Sequence, residues 1–150
     1  MNILFICTGN TCRSCMAEAI FNSLSDDSDI IANSAGLAVV PGSVTSDNTC
    51  TIVKEKNGVD LSNREAVQLT EDMIEEADLI LTMTYSMKDL LINLLMGDSN
   101  RIFCINEYVG LEGEILDPYG GDIDVYEQTY DQLKNNIILL LKKIKEDIHN

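Results

Sequence analysis

Four short apolar runs, Ile3 to Cys7, Ile30 to Ser34, Leu79 to Met83 and Ile102 to Ile105, punctuate a chain whose longer intervening segments carry apolar residues at helical spacing. The pattern predicts strand, helix, strand, repeated. Helices are expected over Ala17 to Leu24, Val44 to Lys56 and Tyr85 to Met96, with a shorter one near Thr70 to Ala77. Leu133, Ile137, Leu140, Leu141, Ile144 and Ile148 form the apolar stripe of a C-terminal helix. Pro41-Gly42 and Asn57-Gly58 mark turns. Strands this apolar, joined by crossover helices, imply a mainly parallel sheet covered on both faces, a three-layer α/β fold. Ligands of such sheets bind beyond the carboxyl ends of the strands, where Cys7 falls. No repeat or linker divides the 150 residues, a length suited to one domain spanning 1–150.

Charge and cysteine content narrow the class. Ten Lys plus Arg against 25 Asp plus Glu give −15, a field that repels nucleic acid and anionic lipid, although solubility alone also accounts for it. The longest aliphatic run, Ile137 to Leu141, is far below the ~18 apolar residues of a membrane helix. Met1 to Ile6 lacks a basic region and a cleavage site, so it reads as the first strand and not as a signal peptide. Five cysteines at irregular spacing suit a reducing compartment, the cytoplasm, better than a disulfide framework.

The segment Cys7-Thr8-Gly9-Asn10-Thr11-Cys12-Arg13-Ser14 joins the first strand to a helix that continues Met16-Ala17-Glu18-Ala19. A tight loop at a helix N-terminus turns backbone N–H groups into a concavity that suits a phosphate dianion. Gly9 and Asn10 tolerate the backbone angles this requires. Arg13 can grip phosphoryl oxygens in a bidentate way, and its charge with the helix N-terminus favours a thiolate at Cys7. Ser14 can donate a hydrogen bond to that sulfur. A lone Cys at a strand end is ordinarily a buried small hydrophobe. The eight-residue conjunction at a strand-to-helix junction points instead to a nucleophile in a phosphate loop.

A sulfur nucleophile still needs a proton donor for the leaving group and then a base for the attacking water. Asp117, in an Asp-Pro loop after the last strand, is the candidate, although turn formation is the usual reason for such a pair. Eight acidic residues and no basic one lie between Arg101 and Lys134, surroundings that favour a protonated carboxyl there.

Cys, five residues, Arg, Ser at the N-terminus resembles the low-molecular-weight protein tyrosine phosphatases. The resemblance continues in Ser34-Ala35-Gly36, in Leu79 to Met83 and in Leu116-Asp117-Pro118-Tyr119-Gly120-Gly121, and so covers nearly the whole chain in order. It implies a four-stranded parallel sheet with flanking helices, a cysteinyl-phosphate intermediate, no cofactor and no metal, with Asp117 as the general acid. Asn10, Ser14 and Ser34 match positions that support the phosphate loop. Tyr119 is expected as a cleft wall and Tyr126 as packing beneath it. Two departures stand out. Cys15 replaces the proline common after Arg-Ser, and Asn63 replaces a histidine, with a changed support contact expected there. Thr11, where tyrosine-specific relatives carry Ile or Val, makes the loop more similar to the bacterial protein-arginine phosphatases of this family.

The partners so implied are phosphorylated protein substrates met by a monomer, with no nucleic acid and no membrane. Cys12, with Cys15 as the alternative, is expected to close a disulfide with Cys7 on oxidation. Rival readings are a protein tyrosine phosphatase of the same family, an arsenate reductase, a thioredoxin-like redox or zinc protein built on Cys12-x-x-Cys15, and a phosphopeptide binder without turnover. Thr82 to Asp89 holds no cysteine for arsenate reduction, and a pure binder has no need of Cys7, Arg13 and Asp117 together.

Overall fold

The computed structural model describes residues 1–95 and 100–150. The strands are β1 (Asn2–Cys7), β2 (Ile31–Gly36), β3 (Leu79–Thr82) and β4 (Ile102–Cys104). All pair in parallel in the order β2-β1-β3-β4, with Cys7 opposite Gly36 at the carboxyl end of a central strand. The helices are α1 (Arg13–Leu24), α2 (Asp47–Asn57), α3 (Glu71–Glu76), α4 (Tyr85–Leu94), α5 (Ile105–Tyr108) and α6 (Ile123–His149).

Alternation along β1 makes the layers. Ile3, Phe5 and Cys7 join a core with Met16 and Ile20 of α1, Ile52 and Val53 of α2, and Leu133, Ile137, Leu140 and Ile144 of α6. Leu4 and Ile6 face the other way, with Ile80, Ile102, Ile74 and Leu91 under α3 and α4. This is the expected α/β class, a four-stranded parallel sheet between helices. Among the described residues no helix is long and apolar enough to cross a membrane.

Helix starts differ from the periodicity wherever polar residues open the helix. α1 begins at Arg13, ahead of Ala17, because the small and polar loop residues carry no apolar period. α2 begins at Asp47 on a Ser46 cap, whose side chain accepts from the Thr49 N–H, while Val44 bridges Glu65. α6 starts at Ile123 on an Asp122 cap, well before Leu133. Within its stripe Leu141 is only partly buried and Ile148 is exposed. Ile105, expected in the last strand, opens α5 instead. Met96, the expected end of the fourth helix, lies outside the described residues.

Candidate active site

β1 delivers Cys7, 3 % exposed, to the base of the loop, and α1 starts six residues later with Arg13. Between them the loop carbonyls turn outward. Those of Cys7 and Thr8 accept from the N–H groups of Leu37 and Ala38 at 3.0 and 2.9 Å, that of Thr11 from Ser46 at 3.0 Å, and that of Cys12 from Met16 at 3.1 Å. Carbonyls occupied on the outside leave the N–H groups for the concavity. The Asn10 N–H donates to the Cys7 sulfur at 3.2 Å, and the Ser14 hydroxyl lies 2.9 Å from it. Of the two residues expected to relax the backbone, Asn10 is the one in the left-handed region, at φ 56°. Gly36 explains its place in the Ser34-Ala35-Gly36 motif. A Cβ there would stand 2.7 Å from the Thr8 carbonyl and 3.0 Å from the Asn10 nitrogen, so only glycine lets β2 support the loop so closely.

Behind the loop lies a polar cluster. Asn10 Nδ2 donates to Ser14 Oγ at 2.7 Å and to Ser34 Oγ at 2.9 Å. Its Oδ1 accepts from the Val67 N–H and from Arg64, at 2.9 and 3.0 Å. Ser34 donates to Glu18 at 3.1 Å and accepts from Arg64 at 3.0 Å. Asn10, Ser14 and Ser34 are thus brought together behind the loop, whereas Asn63 does not take part. It is exposed at φ 61° and turns the chain, so that Arg64, the next residue, makes the contact. Glu18 and Arg64 escaped the sequence reading; the one available signal was a charged residue at 18 between buried Ala17 and Ala19.

Arg13 is buried, donates to the Ile115 carbonyl at 3.2 Å and pairs with Asp117 at 3.7 Å. A cation therefore faces Asp117, where the acidic stretch suggested only like charge. The Asp117 side chain is 59 % exposed, and its Oδ1 accepts from the Tyr119 N–H at 3.1 Å. α6 holds this loop: Thr129 donates to the Leu116 carbonyl, and Gln132 accepts from the Leu116 N–H and donates to the Glu114 carbonyl.

These parts surround an open cleft of about 840 Å³ lined by Cys7, Thr8, Gly9, Thr11, Cys12 and Arg13, and by Asp117 and Tyr119. Tyr119, expected as a cleft wall, is 83 % exposed and lies on the lining. Tyr126 is more than packing: its hydroxyl reaches Cys12 Sγ at 3.4 Å, where Ser46 also lies at 3.5 Å. Burial and the bond to Cys12 push its phenol up to about 12, so it keeps its proton. Ala38, Val40 and Val44, which also line the cleft, gave no sequence signal. Cys15 is fully buried and donates to the Cys12 carbonyl; burial pushes its thiol well up, which leaves it unreactive. Among the described residues no three His, Cys, Asp or Glu side chains gather to hold a metal, so Cys12 and Cys15 find no further zinc ligand there.

The arrangement can hold a phosphate dianion, attack it with sulfur and supply a proton from the rim. The family model for low molecular weight phosphotyrosine protein phosphatase matches residues 2–150. A protein-arginine-phosphatase of Bacillus subtilis is 39 % identical over 150 residues, covering 98 % of this chain and 99 % of that one. A crystal structure of a low molecular weight protein tyrosine phosphatase from T. tengcongensis is 41 % identical, with a TM-score of 0.91 over 95 % of this chain and 99 % of that one. The YwlE arginine phosphatase, solved as a C7S mutant with a phosphorylated active site serine, is 38 % identical, with a TM-score of 0.90 over 98 % and 97 %. With this loop, this sheet and these likenesses across its length, the chain belongs to the low molecular weight phosphotyrosine protein phosphatase family and is a phosphatase.

Proposed function

We propose that the protein hydrolyses phosphoarginine in proteins through a cysteinyl-phosphate intermediate. Cys7 attacks phosphorus, while the N–H groups of Thr8 to Ser14 and the Arg13 guanidinium hold the phosphoryl oxygens. Asp117 gives its proton to the leaving guanidino nitrogen, and the P–N bond breaks as the P–S bond forms. The same carboxylate then takes a proton from water, which attacks phosphorus and expels the Cys7 sulfur, with Ser14 donating to the departing thiolate. The phosphorylated serine in the C7S relative supports phosphoryl transfer to position 7. The enzyme acts in this reading as a cytoplasmic monomer without cofactor or metal, on phosphorylated proteins and on neither nucleic acid nor membrane. Its −15 charge and five unpaired cysteines support that setting.

Thr11 is the observation that carries the substrate class. Its side chain lines the cleft next to Cys12, and its hydroxyl can accept from a phosphoguanidinium N–H, as can Asp117. An aliphatic residue there would leave such a donor unpaired, at a cost of about 1–3 kcal/mol. Overall identity does not decide the matter, since relatives named for arginine and for tyrosine stand at 39 % and 41 %. The apolar wall of Val40 and Val44 favours the second reading, a protein tyrosine phosphatase whose substrate ring lies against it. Turnover of phosphoarginine and phosphotyrosine peptides by wild type and Thr11→Ile separates them. Loss on phosphoarginine with phosphotyrosine kept or raised is expected. A parallel loss, or a wild type that prefers phosphotyrosine, returns the protein to the tyrosine phosphatases.

A further inference from the structure

The cluster behind the loop orients the Asn10 amide and the Ser34 hydroxyl in one sense. Asn10 Oδ1 is met by two groups that can only donate, the Val67 N–H and the Arg64 guanidinium. The amide is therefore oriented, and both its Nδ2 protons go outward, one to Ser14 and one to Ser34. Ser34 Oγ then receives two donors, Asn10 and Arg64, so its own proton goes to the one remaining partner, Glu18 Oε1. Ser14 Oγ likewise receives the Asn10 proton and lies 2.9 Å from the Cys7 sulfur, to which its own proton can turn. With the Asn10 N–H, a sure donor at 3.2 Å, the sulfur then has two groups able to donate to it.

Glu18 closes the far end of this chain. Its carboxylate is half-buried and lies 3.6 Å from Arg64. Burial pushes it above the ordinary range, against the pull of Arg64 and Ser34. It stands on the wall of a second cavity, about 370 Å³, that shares no lining residue with the catalytic cleft and is lined also by Asn2, Asn33, Met73 and Glu76. Arg64 and Glu76 are the charged groups that share that wall with it, from the 64–67 segment and from α3.

We propose that Glu18 and Arg64 are positioning residues of the phosphatase reaction: by taking the Ser34 proton and fixing the Asn10 amide, they set the direction of a hydrogen-bond chain that presents two donors to the Cys7 sulfur. The pair works through Asn10, Ser34 and Ser14, without touching the substrate. Without the Glu18 acceptor, the Ser34 proton has nowhere to point except at the incoming N–H groups of Asn10 and Arg64, and the chain loses its single sense.

The proposal rests on Cys7 as the nucleophile, so the test reads Cys7 directly as well as through turnover. Glu18→Gln keeps an acceptor and removes the charge, Glu18→Leu removes both, Arg64→Lys keeps the charge and loses the fork, and Glu76→Gln is the control on the same wall. For each, kcat and KM on a phosphopeptide are measured beside the pH dependence of Cys7 alkylation by iodoacetamide and the melting temperature. Glu18→Leu is expected to lower kcat about tenfold or more and to move the alkylation midpoint up by about half a unit or more. Glu18→Gln and Arg64→Lys should fall between it and wild type, each at least about threefold down in kcat, and Glu76→Gln should match wild type. A merely structural role would lower the melting temperature and leave the alkylation midpoint of the folded protein in place, and that outcome overturns the proposal. So does a folded Glu18→Gln or Arg64→Lys within about twofold of wild type in kcat with an unmoved midpoint. Should Glu18→Leu fail to fold, those two variants decide. If alkylation of Cys7 leaves turnover intact, the nucleophile assignment fails instead, a different result from any of these.

Discussion

A carboxyl group that must give up a proton and then recover one has to reach both the leaving group and solvent. Asp117 has that access: it stands on the rim of the cleft, 59 % exposed, paired at 3.7 Å to a buried Arg13 that also reaches the neighbouring Ile115 carbonyl. Asp117→Asn keeps the shape and removes the proton, and turnover of a phosphopeptide should fall by roughly 10²- to 10⁴-fold. p-Nitrophenyl phosphate, whose leaving group needs little help, should lose far less. Rate measurements on the two substrates check this, and equal losses would contradict the assignment. The residues with one chemical task, Cys7, Arg13 and Asp117, could be read from residue type and spacing. Glu18, Arg64 and Val67 could not, because their roles depend on contacts between positions 10, 34 and 64 that no local pattern encodes.

Helix α1 decides which thiol can answer an oxidised Cys7. It begins at Arg13, so Cys12 is its cap residue, with non-helical angles of φ −130° and ψ −83°; its carbonyl accepts the first helical bond from Met16, while its sulfur is met by hydroxyl groups. Cys15 lies inside the first turn, wholly buried in the core, and burial holds it as a thiol. Mild peroxide should therefore give a Cys7–Cys12 disulfide, reversed by thiol reductants and detected by peptide mass mapping. A Cys7–Cys15 bridge, or Cys7 found only as sulfinic or sulfonic acid, would contradict that. The apolar period located the strands and the body of each helix. It missed the first turns of α1 and α6, which polar and capping residues form, and the four-residue α5, too short to show a period.

At the scale of the whole molecule, 25 acidic residues against ten basic ones surround a cleft whose bound group is itself an anion. Arg13 and the N–H groups of the loop offset that field locally, but an approaching substrate meets the long-range charge first. Basic phosphopeptides should therefore be favoured at low ionic strength. Raising salt from about 20 mM to 500 mM shortens the Debye length from roughly 20 Å to 4 Å. kcat/KM should then fall for a lysine- or arginine-rich phosphopeptide and rise for an acidic one, as steady-state kinetics on the pair would record. Equal salt effects on both would show that the field steers nothing.

Every ladder in the sheet is parallel, joining residue 2 to 31, 3 to 79 and 80 to 102, and among the described residues no hairpin shortens any of these closures. Such a chain must close long loops before its pairings stabilise it, which makes for slow refolding. The support behind the loop adds its own long-range contacts, from Asn10 to Ser34, Arg64 and Val67. A denatured sample returned to native buffer should therefore regain helix by circular dichroism well before it regains turnover, so that phosphatase activity times the last closures of the chain.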